Sequence, residues 1–152
     1  MSQDVDLQST RAADLAEELK EYLHKKFHIA VRTRELSARG YRVYQHRGER
    51  NRRLVDIRPV GTLPPARRIK EVLVMEPANL IAGKVIAHEA RRGQPKSGTD
   101  WRDLAMLLLT FPELKRDPGP VSEILESSGA GPDAMEFWRD LVAQEIRSED
   151  DE

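Results

Sequence analysis

The run Asp4-Val-Asp-Leu7 sets two carboxylates one residue apart. In an extended strand alternate residues share a face, so Asp4 and Asp6 point the same way, roughly 6–7 Å apart along the backbone. Val5 and Leu7 then turn to the opposite, buried side. Such a pair can chelate a hard divalent ion such as Mg²⁺. Asp56, inside the otherwise apolar run Leu54-Val-Asp-Ile57, can add a third carboxylate from a neighbouring strand. The plainer alternatives are polar sequence near a chain end for the pair, and a surface or hydrogen-bonded strand residue for Asp56.

Three further charges stand where helical periodicity asks for apolar side chains. The stretch Glu76–Arg92 has an apolar stripe of Leu80, Ile81 and Val85, edged by His88, with Lys84 in its middle. The stretch Thr99–Phe111 sets Leu104, Leu107, Leu108 and Phe111 on a stripe that also takes in Asp100 and Asp103. At about 100° per residue, Asp100, Asp103, Leu104, Leu107 and Phe111 span about one third of a turn. Inward-facing charges cost several kcal/mol unless they pair with one another or hold a ligand, and both outcomes stay open at this point. His24 and His28 form an i, i+4 pair that straddles a helix end, and His46 and His88 stand apart, so the histidines read as surface residues rather than a zinc site. Trp101 and Trp138 read as packing anchors, and Met75, Met106 and Met135 as core gap-fillers.

These side chains must be positioned by a chain of 152 residues, 39% apolar and 34% charged, without cysteine. That is enough for one domain, or one compact unit with a helical extension. Disulfides and cysteine-based metal sites are excluded. No secretory leader or long apolar run is visible, and the densest stretch, near Leu104–Leu109, is too short to span a bilayer. The expectation is a cytoplasmic protein with no membrane segment. The net charge of −1 conceals an uneven distribution. From Lys25 to Lys70 there are 14 Lys/Arg against 3 acids, and from Pro112 to Glu152 there are 4 against 12. A basic middle, with Arg47, Arg50, Arg52, Arg53 and Arg58 at its densest, can take a polyanion. It can equally be neutralised by the acidic half or form a solvated face.

The elements follow from periodicity. Ala12, Leu15, Ala16, Leu19, Tyr22 and Leu23 give a helix over roughly Thr10–Lys26. Short strands follow at Ile29–Thr33, Tyr41–His46 and Arg53–Arg58, with a hairpin turn at Arg47–Asn51. Leu63-Pro-Pro65 breaks the chain, and Lys70–Met75 is a short apolar strand. Helices are expected at Glu76–Arg92, Thr99–Phe111, about Val121–Glu126 and about Pro132–Ile146, separated by Gly and Pro breakers. This order predicts an α+β fold, with a small mixed or antiparallel sheet and a flanking helix followed by a helical C-terminal half. The expected division is 1–75, 76–148 and a frayed acidic tail at 149–152.

A D-x-D strand, then a helix, then an apolar-Asp-apolar strand resembles the core of polymerase-beta-type nucleotidyltransferases. Downstream, Met75-Glu-Pro-Ala-Asn-Leu-Ile-Ala-Gly-Lys84, Arg91-Arg92 and Thr99-Asp-Trp-Arg-Asp-Leu-Ala105 resemble the nucleotidyltransferase AbiEii toxin family. There a leucine–alanine–lysine helix precedes R-D-x-x-D-L; Thr99 stands for the usual Arg. The resemblance covers most of Asp4–Lys115. It implies Mg²⁺-dependent transfer of a nucleotide from a nucleoside triphosphate to an RNA or protein acceptor. Asp4, Asp6 and Asp56 are then the catalytic and metal-binding residues, and Lys84, Asp100 and Asp103 the nucleotide-binding ones. The Arg47–Arg58 stretch would carry an acceptor such as tRNA, and a cognate antitoxin would be the protein partner.

The family also opens with a Gly-Ser strand and helix ahead of the D-x-D, where backbone and hydroxyl hold the triphosphate. Only three residues precede Asp4, and no G-x-x-x-x-G-K-[ST] or G-x-G-x-x-G occurs later. The sequence therefore reads as lacking that element, with an exposed sheet edge and loosely fixed Asp4 and Asp6. The alternative it leaves is a catalytically inactive remnant of the fold acting as a binding or interaction module. A nuclease-like use of Asp56 finds no Glu-x-Lys on a neighbouring strand.

Overall fold

Leu7, Val31, Val43 and Ile57 recur on one side of successive strands, and burial of that side against a helix organises the first part of the chain. A computed structural model describes residues 5–37 and 39–148. Asp4 and the acidic tail 149–152 lie outside them. The chain divides into two compact units, Met1–Leu63 and Pro64–Glu152, and the fold is α+β.

The first unit runs β1 (Val5–Ser9), α1 (Ala12–Phe27), β2 (Val31–Glu35), β3 (Tyr41–Gln45) and β4 (Arg52–Pro59). The strands form one mixed sheet in the order β1-β4-β3-β2, with β1 parallel to β4 and the other pairs antiparallel. Ala12 and Ala16 bring α1 close to Val31, Val43 and Ile57, all buried, and Leu15, Leu19 and Leu23 widen the contact. The Ser9 hydroxyl accepts a hydrogen bond from the Arg11 amide at 3.1 Å where the chain turns into α1. The helix ends at His28, whose φ of 52° is the left-handed conformation that closes many helices. Register then matters more than length. Val43 opposes Val55 while Tyr44 opposes Arg53, so Leu54 is an extra residue in β4, a β-bulge that re-aims the side chains before it.

The second unit begins with a two-stranded ribbon, β5 (Ala66–Ile69) and β6 (Val72–Met75), followed by α2 (Pro77–Ala90), α3 (Pro95–Thr110), α4 (Pro120–Ser127) and α5 (Pro132–Ala143). All four helices open on a proline, whose fixed φ and missing N–H suit the first helical position. Pro95 therefore starts α3 four residues before the expected Thr99; it initiates that helix rather than separating two. Their shared core holds Ile81 and Val85 of α2, Leu104 and Leu108 of α3, Val121 and Leu125 of α4, and Trp138 and Leu141 of α5. Outside it, the Arg67 guanidinium donates to both oxygens of Glu76 at 3.0 and 2.6 Å. The pair ties β5 to the start of α2 and holds the Glu76 carboxyl below the usual range.

Several expected core positions are at the surface. Val5 lies on the edge strand and is 52% exposed. Met106 sits about 200° round α3 from Leu104 and is exposed, as is Trp101, because Asp100 takes the buried place on that turn. Tyr22 is exposed as well. β5 was not expected, since Ala66-Arg-Arg-Ile69 offers no apolar alternation. No helix among the described residues is long and apolar enough to cross a membrane.

Leu104 is fully buried between α2 and α3. Leu104→Ala is expected to lower unfolding free energy by about 2–5 kcal/mol, measured by urea titration with an unchanged m-value.

Candidate functional site

The first group of candidate residues lies on the sheet face opposite α1. Asp6 and Asp56 are Cα partners on the parallel strands β1 and β4. Asp6 is exposed and Asp56 half-buried. From the antiparallel side, Arg42 of β3 is the Cα partner of Asp56. Its Nε donates to Asp56 Oδ1 at 2.9 Å and its Nη2 to Oδ2 at 3.1 Å, a two-pronged charge-assisted contact. Arg53 Nη1 stands 3.8 Å from Oδ2. Residues three apart in a regular strand point to opposite faces; the bulge at Leu54 puts Arg53 and Asp56 on the same one.

The five arginines expected to bind a polyanion are distributed by the same register. Arg53 and Arg58 share the face of Asp56, and Arg52, opposite Gln45, points the other way. Arg47 and Arg50 lie at the β3–β4 turn, where Arg47 Nε donates to Gln45 Oε1 at 3.1 Å. Asp4, the remaining carboxylate of the expected set, lies outside the described residues. Among the described residues no group of three His, Cys, Asp or Glu is gathered as a metal site; Asp6 and Asp56 are a set of two.

The second group lies within the second unit, where Lys84 of α2 and Arg91, the residue just past the end of α2, meet Asp100 and Asp103, one turn apart on α3. Gly93, at φ 81°, supplies the left-handed residue of the short connection. Asp100 is 1% exposed. Arg91 Nη1 donates to both its oxygens at 3.1 Å, and Lys84 Nζ is 3.9 Å from Oδ1. Lys84 Nζ also donates to Asp103 Oδ2 at 2.8 Å. Of the three charges expected to face inward, only Asp100 is fully buried. Lys84 lays its stem along the core with its ammonium toward solvent, and Asp103 sits at the rim.

Arg42 and Arg91 are the site residues that sequence reasoning passed over. Arg91 carried a signal, standing seven residues after Lys84 on one helix stripe. Arg42 carried none until the strand register was known. Of the histidines expected at the surface, His24 is exposed, whereas His88 is largely buried against the helical core. His24 Nδ1 is 2.7 Å from the Ile29 carbonyl. His88 stacks on Phe137 at 4.1 Å between ring centres, with Nδ1 3.4 Å from Glu89 Oε1. A concavity of about 300 Å³ bounded by Thr10–Asp14, Arg39, Tyr41 and Pro59 takes in none of the candidate residues.

No protein-family model matches the chain, and no curated protein sequence matches it. Among solved structures it is similar to the crystal structure of an antigenic nucleotidyltransferase-like protein from Paracoccidioides brasiliensis, at 15% identity and a TM-score of 0.46. The match covers 97% of this chain and 77% of that one. A likeness at that level transfers no residue role.

Removing the charge of Asp100 leaves two cations without their shared counter-ion. Asp100→Asn is expected to destabilise the chain by about 3 kcal/mol, and Asp103→Asn, at the rim, by less than about 1 kcal/mol. Thermal and urea unfolding of the two variants side by side checks the ranking.

Proposed function

We propose that the chain is of nucleotidyltransferase type, transferring a nucleotide from a nucleoside triphosphate to a hydroxyl on an RNA or protein acceptor, with Asp6 and Asp56 at the reacting centre. The observation that carries this reading is the register of β1 on β4, which sets two aspartates opposite each other on parallel strands, with β1 leading directly into α1. Two carboxylates suit Mg²⁺, which is commonly held through one or two carboxylates together with substrate phosphates. When bound, the ion supplies neutralisation of the triphosphate and a more acidic acceptor hydroxyl.

In this proposal Asp6, Asp4 and the lone pairs of Asp56 that Arg42 leaves are the ligands. Asp56 also accepts the acceptor proton. Within the second unit by itself, Lys84, beside Asp103 and Asp100, is proposed as a nucleotide-binding group. Arg53 and Arg58 on the face of Asp56, with Arg47 and Arg50 at the adjoining turn, hold the acceptor's phosphates, and Arg52, which points the other way, drops out of the expected set. The expected result is Mg²⁺-dependent transfer of labelled nucleotide to RNA, cut at least about 100-fold by Asp56→Ala and markedly by Lys84→Ala. If wild type transfers nothing from any of the common triphosphates, the catalytic reading is wrong.

A second reading is favoured by Arg42. Its guanidinium spans both oxygens of Asp56 with Arg53 close by, so the carboxylate already has its counter-charge. A chain built this way serves as a binding module that keeps the fold without the chemistry. Titration with Mn²⁺, followed by its electron paramagnetic resonance signal, separates the two. The catalytic reading expects wild type to bind and Asp56→Asn to lose binding. The second expects wild type not to bind and Arg42→Gln to gain a site.

A further inference from the structure

We infer that the solvent face of the four-stranded sheet binds the sugar–phosphate backbone of a single-stranded polynucleotide, with Arg32, Arg34 and Arg58 as phosphate contacts and Tyr44 as a stacking platform. This deepens the transfer reading by naming its acceptor class, and its test is read by binding alone.

α1 occupies one face of the sheet: Thr33 of β2 donates to Glu17 of α1 at 3.1 Å. Arg32 and Arg34, alternating with Thr33, therefore lie on the other face, and both are exposed. Across the sheet Arg34 opposes Arg42, Arg32 opposes Tyr44, and Tyr44 opposes Arg53. Arg58, two residues beyond Asp56, continues the array on β4. Arg42 and Arg53 are engaged with Asp56, whereas Arg32, Arg34 and Arg58 make no ion pair among the described residues. Arg34 faces Arg42, whose charge Asp56 already takes up, so Arg34 itself is left without a counter-ion among the described residues.

The choice of cation narrows the partner. The first unit has ten arginines and three lysines, and all three lysines are on α1, away from this face. An edge strand that needs only protection from pairing is commonly guarded by lysine. Arginine offers a planar fork that matches phosphate oxygens two at a time. Arg32 and Arg34 lie about 6.6–6.8 Å apart along β2, and neighbouring strands about 4.8 Å apart, giving a two-dimensional array of cations that can meet phosphates one by one. The half-buried Tyr44 ring sits between Arg32 and Arg53. Stacking on it requires an unpaired base, and a four-stranded sheet face bearing aromatics is an established route to single strands.

The test uses the whole chain and a fluorescein-labelled uridine oligomer of about 20 nucleotides, with a duplex of equal length as competitor. Arg32→Gln/Arg34→Gln is expected to weaken binding about tenfold near 0.1 M salt and to lower the slope of log K against log salt by about 1.4, two phosphate contacts at about 0.7 each. Tyr44→Leu is expected to weaken binding several-fold with the slope unchanged. Lys20→Gln/Lys25→Gln on α1 is expected to leave both quantities as they are, with circular dichroism confirming the fold of each variant. Unchanged binding in the strand double variant overturns the inference. So does an equal loss from the α1 variant, or a preference for the duplex. A chain that binds the oligomer but transfers no nucleotide overturns the transfer reading and leaves this one standing.

Discussion

A carboxylate withdrawn from water needs a cation beside it, and in each unit the candidate carboxylate most removed from solvent meets an arginine that reaches both its oxygens. In the second unit the constraint is severe. Asp100 is almost wholly buried, and desolvation of a lone carboxylate costs several kcal/mol. Arg91 and Lys84 answer it from α2, which fixes how α2 and α3 face one another. Rotating either helix by one residue, about 100°, would strand the charge and turn Ile81, Val85, Leu104 and Leu108 away from their core.

In the first unit the same need is met at the surface of a sheet. Asp56 keeps part of its water and is gripped by Arg42, while the bulge at Leu54 brings Arg53 to the same side. The bulge at Leu54 comes before Val55, where the pairing of β4 with β1 begins, so that register is regular throughout. The carboxylate pair Asp6–Asp56 and its arginines are thus set by two separate registers, one parallel and one antiparallel. A slip in either would flip the affected side chains to the α1 face.

Much of this was legible in the sequence, and what was not follows from where each signal resides. Helix periodicity is local, so α1, α2, α4 and α5 stand within a few residues of their expected bounds. Prolines were ambiguous because a residue that ends one helix is also the best first residue of the next. The oddity of Lys84, Asp100 and Asp103 was visible as charge on an apolar stripe, and within the second unit they meet as an ion-pair network. That Lys84 and Asp103 sit at the rim was not visible, since a stripe gives an angle and not a depth. Arg42 and Arg34 were hidden altogether. Their importance comes from cross-strand partners 14 and 8 residues away, and no single strand carries that information.

Across β1, β4, β3 and β2 the partners run Asp6, Asp56, Arg42, Arg34. A ladder selected for stability alternates its signs, because opposite charges across strands help and like charges harm, each by roughly 0.2–1 kcal/mol. Here only the central pair is favourable, and the two outer pairs are like-charged with opposite signs. The row therefore carries a negative end at β1 and a positive end at β2 on one face of the sheet. Among the described residues neither Asp6 nor Arg34 makes an ion pair, so the row is neutralised at its centre and not at its ends.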